Sequence, residues 1–97
     1  MANYVILMKL TEQGAKTVKE APERIEAGIK TLEKMGGKVI GFYAVMGEYD
    51  YVAVGEAQSD EVAATFALRL GWLGNVRTTT LRAYTKEEFA AMVKKMP

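Results

Sequence analysis

Two short segments hold the side chains whose spacing suggests a site: Gly47-Glu48-Tyr49-Asp50 and Thr78-Thr79-Thr80. Asp50 is one of only two aspartates in the chain and sits at a turn between apolar runs. A carboxylate there can take an amine or a metal ion. It can equally cap backbone amides at a hairpin turn where Gly47 supplies a positive φ. Glu48 and Glu56 are the nearest other carboxylates, and with no His or Cys in the chain a metal would need oxygen ligands alone. Three scattered acids make no such set, so no metal site is assigned. The threonines form either a hydroxyl row facing a pocket or a β-branched strand run. Tyr43, Tyr49 and Tyr51 offer phenols for general acid work, and they also suit plain strand packing. Arg24 lies early in a helical pattern, where a cation opposes the helix dipole. It can answer Asp50 or an anionic ligand there, or be a tolerated surface charge.

The composition excludes much else. Lys+Arg 13 against Asp+Glu 12 gives a net charge of +1, with no bulk attraction to nucleic acid or an anionic membrane. Without Cys or His there is no disulfide scaffold, thiol nucleophile, zinc finger or His-dependent acid–base scheme. Neither Gly14 nor Gly36-Gly37 belongs to a phosphate-binding glycine motif. No cofactor is implied, and no residue is assigned a catalytic role. Met1 to Leu10 carries no basic n-region or cleavage site, and no apolar run approaches the roughly 20 residues of a membrane helix. The expectation is a cytoplasmic protein.

The elements that must position these residues follow from periodicity. Within 97 residues there is room for one domain, spanning 1–97. Residues 3–10 read as a strand, with Tyr4, Ile6, Met8 and Leu10 on one face and Val5 and Leu7 on the other. Thr11 is an N-cap candidate for a helical pattern whose stripe is Val18, Ala21, Ile25, Ile29 and Leu32. Pro22 either kinks that helix or splits it. Gly36-Gly37 ends it. Lys38 to Met46 and Tyr51 to Ala57 read as an antiparallel hairpin. In the first of these, alternation puts Val39, Gly41, Tyr43 and Val45 opposite Ile40, Phe42, Ala44 and Met46. Ser59 caps a helix with the stripe Val62, Phe66, Leu70 and Leu73, and Val76 to Tyr84 is the last strand. Thr85 and Glu88 have capping-box spacing, ahead of a short helix striped by Phe89, Met92, Val93 and Met96. The order βαββαβ with a C-terminal helix is an α+β, ferredoxin-like arrangement.

The strands carry a further implication. A sheet with helices on one face and water on the other should be polar on its wet face. Here the first two strands are apolar on both faces, and Val52 and Val54 oppose Tyr51 and Ala53. That second face calls for a cover, and a homo-oligomer with sheets packed together, a dimeric α/β barrel, supplies one. Leu68 and Trp72 sit on the back of the second long helix as an interface candidate. The plainer alternative has Trp72 folding back to pack locally.

Met46-Gly47-Glu48-Tyr49-Asp50-Tyr51-Val52-Ala53-Val54, together with Gly74-Asn75-Val76-Arg77-Thr78-Thr79-Thr80-Leu81, resembles the GYD-domain family. The likeness takes in Tyr4 to Met8, Ala21 to Arg24 and Met35 to Lys38, and so nearly the whole chain. The namesake Gly-Tyr-Asp matches Gly47, Tyr49 and Asp50, with Glu48 intervening. The resemblance implies a ferredoxin-like, dimeric α/β-barrel type of structure and leaves the activity open. Gly-x-Tyr-Asp-Tyr opening a strand, followed by a helix and Gly-x-Val-x-x-Thr-x-Thr, is also similar to the effector domain of leucine-responsive (Lrp/AsnC) regulators. That second resemblance covers about half the chain. It implies assembly through the sheets and an amino-acid site at a subunit junction, with Gly47, Tyr49 and Asp50 on its hairpin side and Thr78 and Thr80 on its strand side. No helix-turn-helix pattern precedes the domain, so direct DNA binding is not expected.

The reading is thus a homo-oligomer that binds or senses a small metabolite at a subunit junction. Two alternatives stand beside it. One is a cofactor-free dimeric α/β-barrel enzyme of oxygenase, isomerase or dehydratase type, which calls for a pocket between sheet and helices. A buried polar pair such as Tyr43 with Arg82 or Glu56 would belong in that pocket. The other is a structural or partner-binding oligomer working through Leu68 and Trp72.

Overall fold

The computed structural model describes all residues, Met1–Pro97. β1 (Ala2–Leu10) leads through a five-residue helix α1 (Glu12–Lys16) and a 3-10 turn (Val18–Glu20) into α2 (Ala21–Lys34). β2 (Lys38–Ala44) and β3 (Tyr51–Ala57) form a hairpin, and α3 (Asp60–Leu73), β4 (Val76–Ala83) and α4 (Lys86–Lys94) follow. The four strands make one antiparallel sheet in the order β2-β3-β1-β4, with α2 and α3 on one face. This is the ferredoxin-like fold.

Local chemistry explains the boundaries. The Thr11 hydroxyl accepts from the Gly14 amide and caps α1. Pro22 splits the helical pattern: its ring fits the first turn of α2, where no intrahelical amide is needed, so α2 starts afresh at Ala21. Ser59 caps α3, and Gly74 at φ 86° ends it in the left-handed conformation that glycine tolerates. At α4 the full capping box forms, with the Glu88 amide donating to Thr85 Oγ1 and the Thr85 amide to Glu88 Oε1.

Strict alternation fails in β2. Val39 pairs with Gly55, Gly41 with Val54 and Phe42 with Ala53, so a bulge leaves Ile40 unpaired. The extra residue reverses the pleat. Val39 and Phe42 therefore both pack toward the helices, and the Phe42 ring lies 5.3 Å from that of Tyr51. β2 also stops at Ala44 rather than Met46.

The core is thin. Only eleven of 97 residues are buried, and the central cluster is Ile6, Met8, Leu32, Tyr51, Ala53 and Phe66. The opposite sheet face follows from the strand register. Tyr43 pairs with Val52, Val52 with Leu7 and Leu7 with Thr79; the next row is Gly41, Val54, Val5 and Leu81. Lys38, Glu56 and Asn3 form its rim at one end, and Lys9 and Arg77 at the other. An apolar centre with a polar rim is how an interface is built. α4 stands off the body, with Phe89, Met92 and Val93 exposed on it and Met96 exposed just beyond its end. The radius of gyration is accordingly 14.7 Å, against roughly 13 Å for a compact 100-residue domain.

Candidate functional site

The Gly47–Asp50 corner is built onto the end of β1. Gly47 has φ 107°, so the turn uses glycine's freedom. The Asp50 amide donates to the Met8 carbonyl at 2.9 Å, and the Val45 amide donates to the Asp50 carbonyl. Asp50 Oδ2 accepts from the Leu10 amide at 2.7 Å. The carboxylate thereby continues the ladder where β3 has no backbone acceptor to offer. Lys9 tightens the corner, with its ammonium 5.3 Å from the centre of the Tyr49 ring and 3.6 Å from a Glu48 oxygen. Of the two roles open to Asp50, the turn role is the one its contacts fill, and one carboxylate oxygen has no hydrogen-bond partner.

The threonine row divides. Thr78 pairs with Met8 and Thr80 with Ile6, on the helix-covered face, whereas Thr79 pairs with Leu7 on the open face. Thr80 Oγ1 is buried with no hydrogen-bond partner. A buried unpaired hydroxyl costs about 1–3 kcal/mol and so calls for a reason. Within one chain the corner and Thr78 are linked only through β1, with Met8 bonded to Asp50 on one side and paired with Thr78 on the other.

Between the sheet and the two long helices lies a cleft of about 360 Å³, at the small end of the roughly 300–1,000 Å³ range of ligand pockets. Missing side chains create it. Ala53 and Gly55 form its floor, and Gly28 stands on the inward stripe of α2 between Ile25 and Leu32. A Cβ built on Gly28 would meet nothing within 4 Å. The walls are apolar, Ile29, Phe66 and Leu70 among them, and the only charged side chains lining the cleft are Arg24 and Arg69.

Arg24 Nη1 donates to Thr17 Oγ1 at 2.8 Å and Nη2 to the Gly14 carbonyl at 3.4 Å, so it does not pair with Asp50. Leu10 joins the two regions, since it lines the cleft and gives its amide to Asp50. Sequence reasoning weighed Arg24 and missed Gly28 and Arg69. The available signal was a glycine at an apolar position of the α2 stripe. Tyr43 is exposed on the open face and Arg82 lies on the other, against the rings of Tyr4 and Tyr84, so these two do not form a polar pair in the cleft.

Leu68 and Trp72, one turn apart on α3, are 74% and 78% exposed, so Trp72 does not fold back onto its own chain. No group of three acids comes close enough to hold a metal ion, and no helix is long and apolar enough to cross a membrane.

Residues 4–93 match the model of the GYD domain. Over 95 residues the chain is 38% identical to a glutamine synthetase and cystathionine β-lyase binding protein of Thermus thermophilus, covering 97% of this chain and all of that one. Among solved structures, a feast or famine regulatory protein of Mycobacterium tuberculosis complexed with L-methionine superposes with a TM-score of 0.66 at 20% identity. That match covers 89% of this chain and 52% of the regulator, so the chain spans about half the regulator's length. A further structure, FFRP-DM1, matches with a TM-score of 0.58 at 23% identity, over 87% of this chain and all of that one. At such identities the structural likenesses speak for the fold, while the family match and the close relative together establish that the chain belongs to the GYD domain family.

Proposed function

We propose that this protein is a homo-oligomeric module that binds a small metabolite and performs no chemistry of its own. The observation that carries the reading is the apolar cleft, whose only charges are two arginines and whose lining residue Leu10 gives its amide to Asp50 of the corner. Gly47, Tyr49 and Asp50 form the hairpin side of the ligand site and Thr78 and Thr80 its strand side. The free oxygen of Asp50 supports including that residue. Assembly through the open sheet face is supported by its apolar centre, by the thin single-chain core and by the exposure of Leu81 and Tyr43. The methionine-bound regulator of the same fold adds support for a small-molecule role. Thermal unfolding against a panel of amino acids and small organic acids tests this reading. At least one compound should raise the midpoint in a concentration-dependent way, and Tyr49→Ala should blunt that rise. A panel without any shift, at millimolar ligand, would refute it.

A second reading is favoured by one specific observation, the description of the Thermus relative as a binding protein for two enzymes. Under it, Leu68 and Trp72 form a docking patch for a metabolic enzyme. Co-purification with glutamine synthetase or cystathionine β-lyase from the same cell, lost in Trp72→Ala, would favour this reading; co-purification unaffected by that change would remove the patch from it.

A further inference from the structure

We propose that the cleft between α2 and α3 takes a monocarboxylate with an apolar tail, held at its head by Arg24 and Arg69. The inference rests on the small-molecule reading and names its ligand class. The body of the cleft is made of aliphatic and aromatic side chains, among them Ile25, Ile29, Phe66 and Leu70. Such walls recognise an apolar tail and give nothing to a polar one.

The two arginines are the informative part. Each projects from its own helix into the lining, Arg24 from the first turn of α2 and Arg69 from the last turns of α3. Because these helices run antiparallel to the strands they follow, both positions fall at the end of the sheet where β1 finishes and β4 starts. Asn75 lines the cleft at the same end. Neither guanidinium has a carboxylate within ion-pair distance. Arg24 spends its bonds on neutral oxygens of Thr17 and Gly14, and Arg69 makes no hydrogen bond. Arg24 also opposes the dipole of the helix that carries it. Arg24 is half-buried and Arg69 exposed, so the two guanidinium groups flank the mouth end of the apolar cleft without a carboxylate partner, and the planar guanidinium fork suits a planar carboxylate shared between them.

The lining also excludes a class. It contains no Asp or Glu, and the Asp50 carboxylate outside it is bonded to the Leu10 amide. An α-ammonium group inside the cleft would meet two guanidinium groups and no acid. The cleft therefore prefers a carboxylate without an amine over an amino acid.

Calorimetric titration of the purified full chain with octanoate, octanol, octylamine and leucine tests the inference. Octanoate should bind saturably, octanol at least about tenfold more weakly, and octylamine not at all. Arg69 has no structural bond to lose, so Arg69→Met should leave the fold intact and weaken octanoate by about 10- to 100-fold without changing octanol. Gly28→Leu, which fills open space, should abolish both while the circular dichroism stays native. The inference is overturned if octylamine or octanol equals octanoate, if Arg69→Met leaves octanoate unchanged, or if octanoate gives no saturable heat. Should leucine bind while octanoate does not, and Tyr49→Ala remove the leucine signal, this inference falls and the small-molecule reading stands.

Discussion

Replacing Asp50 separates its role in the fold from its role toward a ligand. In Asp50→Ala the Leu10 amide, bonded to Oδ2 at 2.7 Å, loses its acceptor while remaining part-buried against the hairpin. The backbone bonds of residue 50 to Met8 and Val45 survive the change, so the loss is confined to one charge-assisted contact. Such a contact to a part-buried amide is worth about 1.5–3 kcal/mol. For a domain of this size, about 2 kcal/mol corresponds to a fall in Tm of roughly 8–16 °C. Asp50→Asn keeps an acceptor oxygen and should recover a good part of the loss. The assay is urea and thermal unfolding of the three proteins at one fixed protomer concentration, because an oligomer's midpoint moves with concentration. A change below about 0.5 kcal/mol in Asp50→Ala, the level of an ordinary surface substitution, would refute the ladder-continuing role. It would leave a ligand as the reason for a carboxylate at this corner.

The glycines give a matched pair. Gly28→Ala adds a Cβ to open space within a helix and should stabilise by about 0.5–1 kcal/mol. Gly14→Ala places a Cβ 2.0 Å from the Asn75 carbonyl oxygen and should cost about 3 kcal/mol or more, both read from urea midpoints. Thr80→Val removes an unpartnered buried hydroxyl and should be neutral or stabilising by about 1 kcal/mol in the same assay; a clear loss would reveal a partner. The Tyr4 hydroxyl donates to Asp60 Oδ1 at 2.5 Å, and that bond, with burial, raises the phenol above its usual 10.0. The folded state holds this proton more tightly than the unfolded chain, so its contribution is full below pH 10 and is lost as pH rises through the raised value. Unfolding of the wild type should therefore weaken more steeply above pH 10 than that of Tyr4→Phe.

Much of the fold was legible because local chemistry and global packing agree. Thr11, Ser59, Thr85 with Glu88, and Gly74 mark helix ends by hydrogen bonds made within a few residues of themselves. Period-two patterning placed β1, β3 and β4 and exposed the two-faced character of the sheet. It failed in β2 because a bulge at Ile40 is a property of the pairing with β3, and pairing leaves no mark on an alternating pattern. The site was less legible for a related reason. Gly47, Tyr49 and Asp50 stand out as a motif, yet the bond that explains Asp50 runs forty residues away to Leu10. The cleft is defined by what is missing, the side chains that Gly28, Ala53 and Gly55 lack, and by two helices held apart across a sheet. Volume of that kind appears only when distant segments are brought together. Arg69 has no neighbour in sequence to distinguish it from an ordinary surface arginine.

Native mass spectrometry of protein purified gently from its host tests the central claim most directly, because one spectrum reports subunit number and retained ligand together. The account predicts an oligomer carrying a small organic adduct in whole-number ratio to its subunits. A bare monomer would contradict it on both counts, leaving the apolar sheet face without a cover and the junction site without a second side.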